Sequence, residues 1–109
     1  SDLFINYISL ETVLSEESVI SQQLPGWVTI MTTGRSGIIN CGNFGTIEFV
    51  HTAKDISKIE PNLYLDSKSK MLKANVEQAY KDMIFAKRKS VDLIDFSEFE
   101  NWRKEHECI

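Results

Sequence analysis

The residues of this 109-residue chain best suited to reactive chemistry are two cysteines and two histidines. Cys41 and His51 fall on successive β-branched segments, where a thiolate–imidazole pair is conceivable. Such a pair needs a cation or helix N-terminus to lower the thiol and a third group to orient the ring. The local sequence supplies neither, so a small strand cysteine beside an edge histidine is expected. His106 and Cys108 are spaced as two metal ligands, yet a closed zinc site takes four. No Cys-x-x-Cys and no second His/Cys pair completes the set, so neither metal nor cofactor is expected.

A different chemistry resides in the carboxylates. Six lie within residues 91–109, among them Asp92, Asp95, Glu98 and Glu100. Glu98 and Glu100 suit the first turn of a helix, where anions meet the dipole. A dense acidic face is also what a protein needs to occupy the basic site of a nucleic-acid enzyme. Phe44, held at a turn by Gly42 and Gly45, either folds back on the sheet or projects as an anchor. With Trp102 on the C-terminal helix, these six residues are the candidate partner-binding set. Gly42-Asn43-Phe44-Gly45 is no phosphate loop, because no Gly-Lys-Ser/Thr follows it.

Charge is unevenly placed. The net −4 divides into −5 over residues 1–66, +5 over 67–90 and −4 over 91–109. Lys68, Lys70, Lys73, Lys81 and Lys87-Arg88-Lys89 make up the basic block, which could contact phosphate. The overall negative charge and the lack of interleaved aromatics oppose a nucleic-acid partner. Cations at the end of a helix also satisfy its free carbonyls.

These residues must be positioned by elements the periodicity defines. Leu3, Tyr7, Leu10 and Leu14 give a helical stripe over 3–14, although Phe4, Ile5 and Ile8 also allow a strand start. Glu16 and Glu17 open a second short helix over 16–23, with Leu14 and Val19 as its hydrophobic staple. From Trp27 the period changes. Segments 27–33, 38–41 and 46–51 are rich in β-branched and aromatic residues, separated by Gly-Arg-Ser-Gly and Gly-Asn-Phe-Gly. They predict a three-stranded antiparallel meander with Val28, Ile30, Ile39, Ile47 and Phe49 on its buried face. Leu63 to Leu65 is a candidate fourth strand, and Val91 to Ile94 a strand or extended linker. A long helix is predicted over 69–87, with Leu72, Val76, Ala79, Tyr80, Met83 and Ile84 on one face. Met71 and Phe85 would then lie opposite, either covered by Phe96, Phe99 and Trp102, the favoured reading, or left as an exposed patch that marks an interface. Ser97-Glu98-Phe99-Glu100 matches a capping box that opens the last helix.

The expected class is α+β, a single domain over residues 1–109. Its three-stranded antiparallel meander, extending to four or five strands, packs against N-terminal short helices, one long helix and a C-terminal helix. No apolar run approaches the ~20 residues of a membrane span, and Asp2 stands where a signal peptide would be basic. With only two cysteines, a reducing compartment, the cytoplasm, is expected. The function this favours is occlusion: a small acidic protein-binding module, in its most concrete form an inhibitor or immunity-type protein (an antitoxin in character) covering a basic toxin or nuclease. The alternatives are a small enzyme or ligand-binding domain using Cys41 and His51, or a regulatory module touching nucleic acid through the lysine-rich helix.

Overall fold

The stripe over 3–14 divides between two elements. In the computed structural model, which describes residues 5–20, 26–53 and 56–107, Asn6–Ile8 is strand β1 and Glu11–Glu16 the short helix α1. Tyr7, Leu10 and Leu14 are fully buried, but Leu10 turns the corner between the elements at φ +61°. That conformation is strained for leucine and is held by its place in the core. Leu3 lies outside the described residues. No helix begins at residue 16. Instead Val19 N and Ile20 N both donate to Leu14 O, at 2.8 and 3.2 Å, and residues 21–25 lie outside the description. Leu14 and Val19 both enter the core, but not as a hydrophobic staple, since no helix opens between them.

The three central strands occur where the composition places them: β2 Trp27–Thr32, β3 Gly37–Asn40 and β4 Thr46–His51. Their order corrects the meander. β4 inserts between the other two, antiparallel to β3 and parallel to β2, in register from Trp27↔Thr46 to Thr32↔His51. Gly-rich separators only require that the chain reverse; they do not require that the reversed strands be neighbours. The β2–β3 loop, residues 33–36, steps over the end of β4, while a 3-10 turn at Gly42–Phe44 closes the β3–β4 hairpin. The starts of β2 and β4 are pressed together, with Thr46 N donating to Gly26 O at 2.7 Å. Gly45, at φ +103°, must be glycine there, since a Cβ would lie 2.2 Å from Gly26 O. The face predicted buried is buried only toward the sheet centre: Ile30 is enclosed, Val28, Ile47 and Phe49 are half-buried, and Ile39 on the edge strand is 53% exposed.

Leu63–Asp66 does form a strand, β5, reached from β4 through the short helix α2 (Ile56–Ile59) and a 3-10 turn. The predicted 69–87 helix breaks in two. Met71–Ala74 is strand β6, antiparallel to β5 and parallel to β1, and helix α3 spans only Val76–Phe85. Asn75 sets the boundary, its side chain accepting the Gln78 N–H at 2.8 Å as an N-cap. Leu72 and Met71 therefore sit on a strand, and the face shared by Val76, Ala79 and Met83 is the buried one. Residues Lys89–Leu93 form a 3-10 helix where a strand or linker was expected, and helix α4 runs Phe96–Glu107. Among the described residues the result is a six-stranded mixed sheet in the order β3-β4-β2-β1-β6-β5, with four α-helices.

Polar groups tie the helices to the sheet. Asp82 of α3 is wholly buried and accepts from Tyr7 OH (2.9 Å), Ser9 Oγ (2.7 Å) and Gln78 Nε2 (2.9 Å). Burial, and then the adjacent Asp82 charge, raise the Tyr7 phenol well above its ordinary range. Arg88 is the second tie. Its guanidinium forks onto Glu11 of α1 (3.1 and 3.1 Å) and onto Glu48 of β4 (2.6 and 2.9 Å), and Trp27 Nε1 donates to the same Glu48.

Candidate functional site

The acidic C-terminal segment is built on two backbone anchors. Ile94 forms an antiparallel bridge with Ile20, and Asp95 N donates to Val19 O at 2.7 Å. Asp95 then caps α4, its Oδ1 accepting from Ser97 N (3.0 Å) and Glu98 N (3.2 Å). The helix starts two residues before the Ser97 box predicts, because Asp95 caps ahead of Ser97 and takes free N–H groups of the first turn, those of Ser97 and Glu98. This start makes Phe96 the first helical residue.

Two phenylalanines three apart then take opposite fates. Phe99 is 3% exposed and packs edge-on to Tyr80, with ring centres 5.0 Å apart. Arg103 lies over its ring at 4.5 Å while forking onto Glu77 (3.1 and 3.0 Å) and reaching Glu100 (3.2 Å). Phe96 is 56% exposed, although its ring is backed by Tyr80 at 6.1 Å and Phe99 at 6.4 Å. Leu93, three residues earlier, is 43% exposed, and Ile84, one turn beyond Tyr80 on α3, is also exposed. Asp92, Asp95 and Glu98, all within four residues of Phe96 in sequence, are exposed as well. A supported aromatic with exposed carboxylates close to it in sequence can enter an apolar pocket while those carboxylates meet cations.

The six candidate residues are thus distributed. Asp92, Asp95 and Glu98 are all exposed within four residues of Phe96 in sequence, Asp95 with one oxygen committed to the cap. Glu100 is exposed but paired to Arg103, and Trp102 is half-buried against the core. Phe44 closes the 3-10 turn between β3 and β4, and its side chain lies outside the described residues. Leu93 and Phe96 are the residues sequence reasoning missed as surface groups. Phe96 and Phe99, three apart, share one side of the helix and both lie against Tyr80, so spacing alone does not say which ring is exposed.

The other reactive candidates separate. Cys41 follows the end of β3 paired with Thr46, the first residue of β4, whereas His51 is its last. Roughly 16 Å of strand divides them, so no Cys41–His51 dyad forms. His106 and Cys108 lie outside the described side chains, and among the described residues no three His, Cys, Asp or Glu cluster as a metal site. The basic block is not one helical stripe either. Lys68 and Lys70 lie in the β5–β6 turn, Lys73 pairs with Glu16, and Arg88 is clamped by Glu11 and Glu48. Among the described residues no helix is long and apolar enough to cross a membrane.

No family model, curated protein or solved structure matches the chain.

Proposed function

We propose that the chain is a protein-binding module that seats Phe96 and Leu93 in an apolar pocket of a basic partner, with Asp92, Asp95 and Glu98 meeting the cations around it. Its most concrete form is an inhibitor or immunity-type protein that occludes the active site of a basic toxin or nuclease. The observation that carries this reading is the exposure of Phe96 on a rigid aromatic support. A half-exposed ring already backed by Tyr80 and Phe99 loses little side-chain freedom on docking, as an interface anchor should. A reducing compartment such as the cytoplasm suits the free thiol of Cys41.

Titration calorimetry against basic ribonucleases and DNases, with nuclease activity followed in parallel, tests the proposal. A stoichiometric, inhibitory complex is expected, weakening as salt rises. Phe96→Ala should cost about 2 kcal/mol, roughly 30-fold in Kd. A panel that yields no complex, or one indifferent to Phe96→Ala and to Asp92→Asn/Glu98→Gln, rules the reading out.

A further inference from the structure

The insertion of β4 between β2 and β3 builds a second feature at the opposite end of β4 from Phe44. The loop that crosses the end of β4 meets the last residue of that strand, and together Thr33, Gly34, Arg35, Ser36 and His51 line an open concavity of about 600 Å³. His51 is held there twice. Its backbone N–H donates to Ser36 Oγ at 2.8 Å, and its Nδ1 lies 2.7 Å from Gly34 O. A carbonyl only accepts, so Nδ1 carries the proton and Nε2 is the nitrogen left for a ligand.

Three acceptors of this loop are already used, while its backbone donors Thr33 N and Gly34 N are bonded to Ile5 O and Thr32 Oγ1. Gly34 O takes His51, Ser36 Oγ takes the His51 amide, and Thr33 Oγ1 takes Ile5 N–H at 2.9 Å. Each hydroxyl keeps its own proton to give. Arg88 and Arg103 are both committed to carboxylates, whereas Arg35 is exposed and makes no ion pair or hydrogen bond among the described residues. Among the described residues, none that lines the concavity is acidic. Arg35 is moreover the sole charged residue between Glu17 and Glu48, in a chain of net charge −4. Glu48 itself points to the other face of β4 from His51 and is held by Arg88.

We infer that this concavity binds a phosphate oxyanion, either free phosphate or a phosphate monoester. The Arg35 fork would take two of its oxygens and the Ser36 and Thr33 hydroxyls would donate to it. His51 Nε2 accepts from a protonated phosphate oxygen, or donates to a bare one once the ring is charged. Among the described residues, no carboxylate on the lining competes for the guanidinium.

The test is side-chain ¹⁵N NMR of His51 and Arg35 in the full chain, titrated at constant ionic strength with inorganic phosphate, with glycerol 2-phosphate, and with chloride as reference. Saturable movement of His51 Nε2 and Arg35 Nε with phosphate or the ester, absent with chloride, is expected. The tighter of the two ligands identifies the source, the free ion or the monoester. Arg35→Gln should weaken binding about 10-fold, one fork's worth, while Lys104→Gln, on α4, leaves it unchanged. The substituted side chains Arg35 and Lys104 are both exposed, so the remaining amide spectrum should stay put and report an intact fold. Shifts that grow linearly without saturating would overturn the inference. So would equal binding by Arg35→Gln, or a His51 spectrum with the proton on Nε2.

Discussion

Replacing Arg88 with methionine tests the tie between α1, β4 and the chain leaving α3. The substitution keeps the aliphatic stem and removes four charge-assisted contacts of 2.6–3.1 Å. It leaves the Glu11 and Glu48 carboxylates, with side chains only 16% and 18% exposed, facing each other without a cation. Breaking a fully buried pair costs ~3–5 kcal/mol, and partial solvent access reduces this to about 3 kcal/mol at pH 7. With a urea m-value near ~1.5 kcal/mol/M, the unfolding midpoint should fall by about 2 M. Urea titration followed by tryptophan fluorescence measures it, with Trp27 bonded directly to Glu48 as a local reporter. The pH dependence supplies the sign. Arg88's hydrogen bonds, working against burial, hold the Glu48 carboxyl below its ordinary range. A group with a lowered folded pKa contributes stability above its unfolded value and loses it as the pH falls through the folded one. In Arg88→Met the unpaired carboxylates repel instead and are relieved by protonation, so the gap between the proteins should close from pH 7 toward pH 4. A loss under ~0.5 kcal/mol, as for an ordinary surface pair, or a gap that ignores pH, would refute the reasoning.

Gly45→Ala should destabilise by about 2–4 kcal/mol, combining a left-handed alanine with a Cβ placed 2.2 Å from Gly26 O, as chemical denaturation can measure. Asp82→Ala strands Tyr7 OH, Ser9 Oγ and Gln78 Nε2 inside the core, with an expected cost of about 3–5 kcal/mol. The double variant Tyr7→Phe/Asp82→Ala should be less than additive in a double-mutant cycle. Asp95→Ala should cost about 1 kcal/mol through the lost cap, read as faster amide exchange at Ser97 and Glu98. Cys41→Ser should change neither the His51 NMR signals nor stability by more than ~0.5 kcal/mol, since the thiol is partly exposed and distant from the ring.

Strand positions were legible because β-branched density and glycine spacing are local. Strand order was not, because the β2–β4 pairing joins residues nineteen apart in sequence. One clue was present: Gly26 and Gly45 each stand one residue before the paired starts Trp27 and Thr46, where two backbones touch. The 69–87 helix was over-read because Met71, Leu72 and Ala74 fit either period, whereas Asn75 with Gln78 marked the true start. Arg88 reads in sequence as a helix-terminal cation, and only the fold brings Glu11 and Glu48 to it from far along the chain. In the acidic segment the carboxylates could be named from composition. Which phenylalanine faced outward depended on where α4 began, a choice between Asp95 and Ser97 as cap.

The position of β4 also constrains the order of assembly. β2 and β3 leave the ribosome first and run in opposite directions across a four-residue loop, so they can pair with each other before β4 exists. That premature ladder must open to admit the later strand, which arrives already joined to β3 by the turn at Gly42–Phe44. The conversion makes β2–β3 pairing an off-route trap, and a hairpin that closes quickly around Gly45 is the escape from it. Changes at this glycine should therefore slow the refolding limb of a chevron more than they speed the unfolding limb.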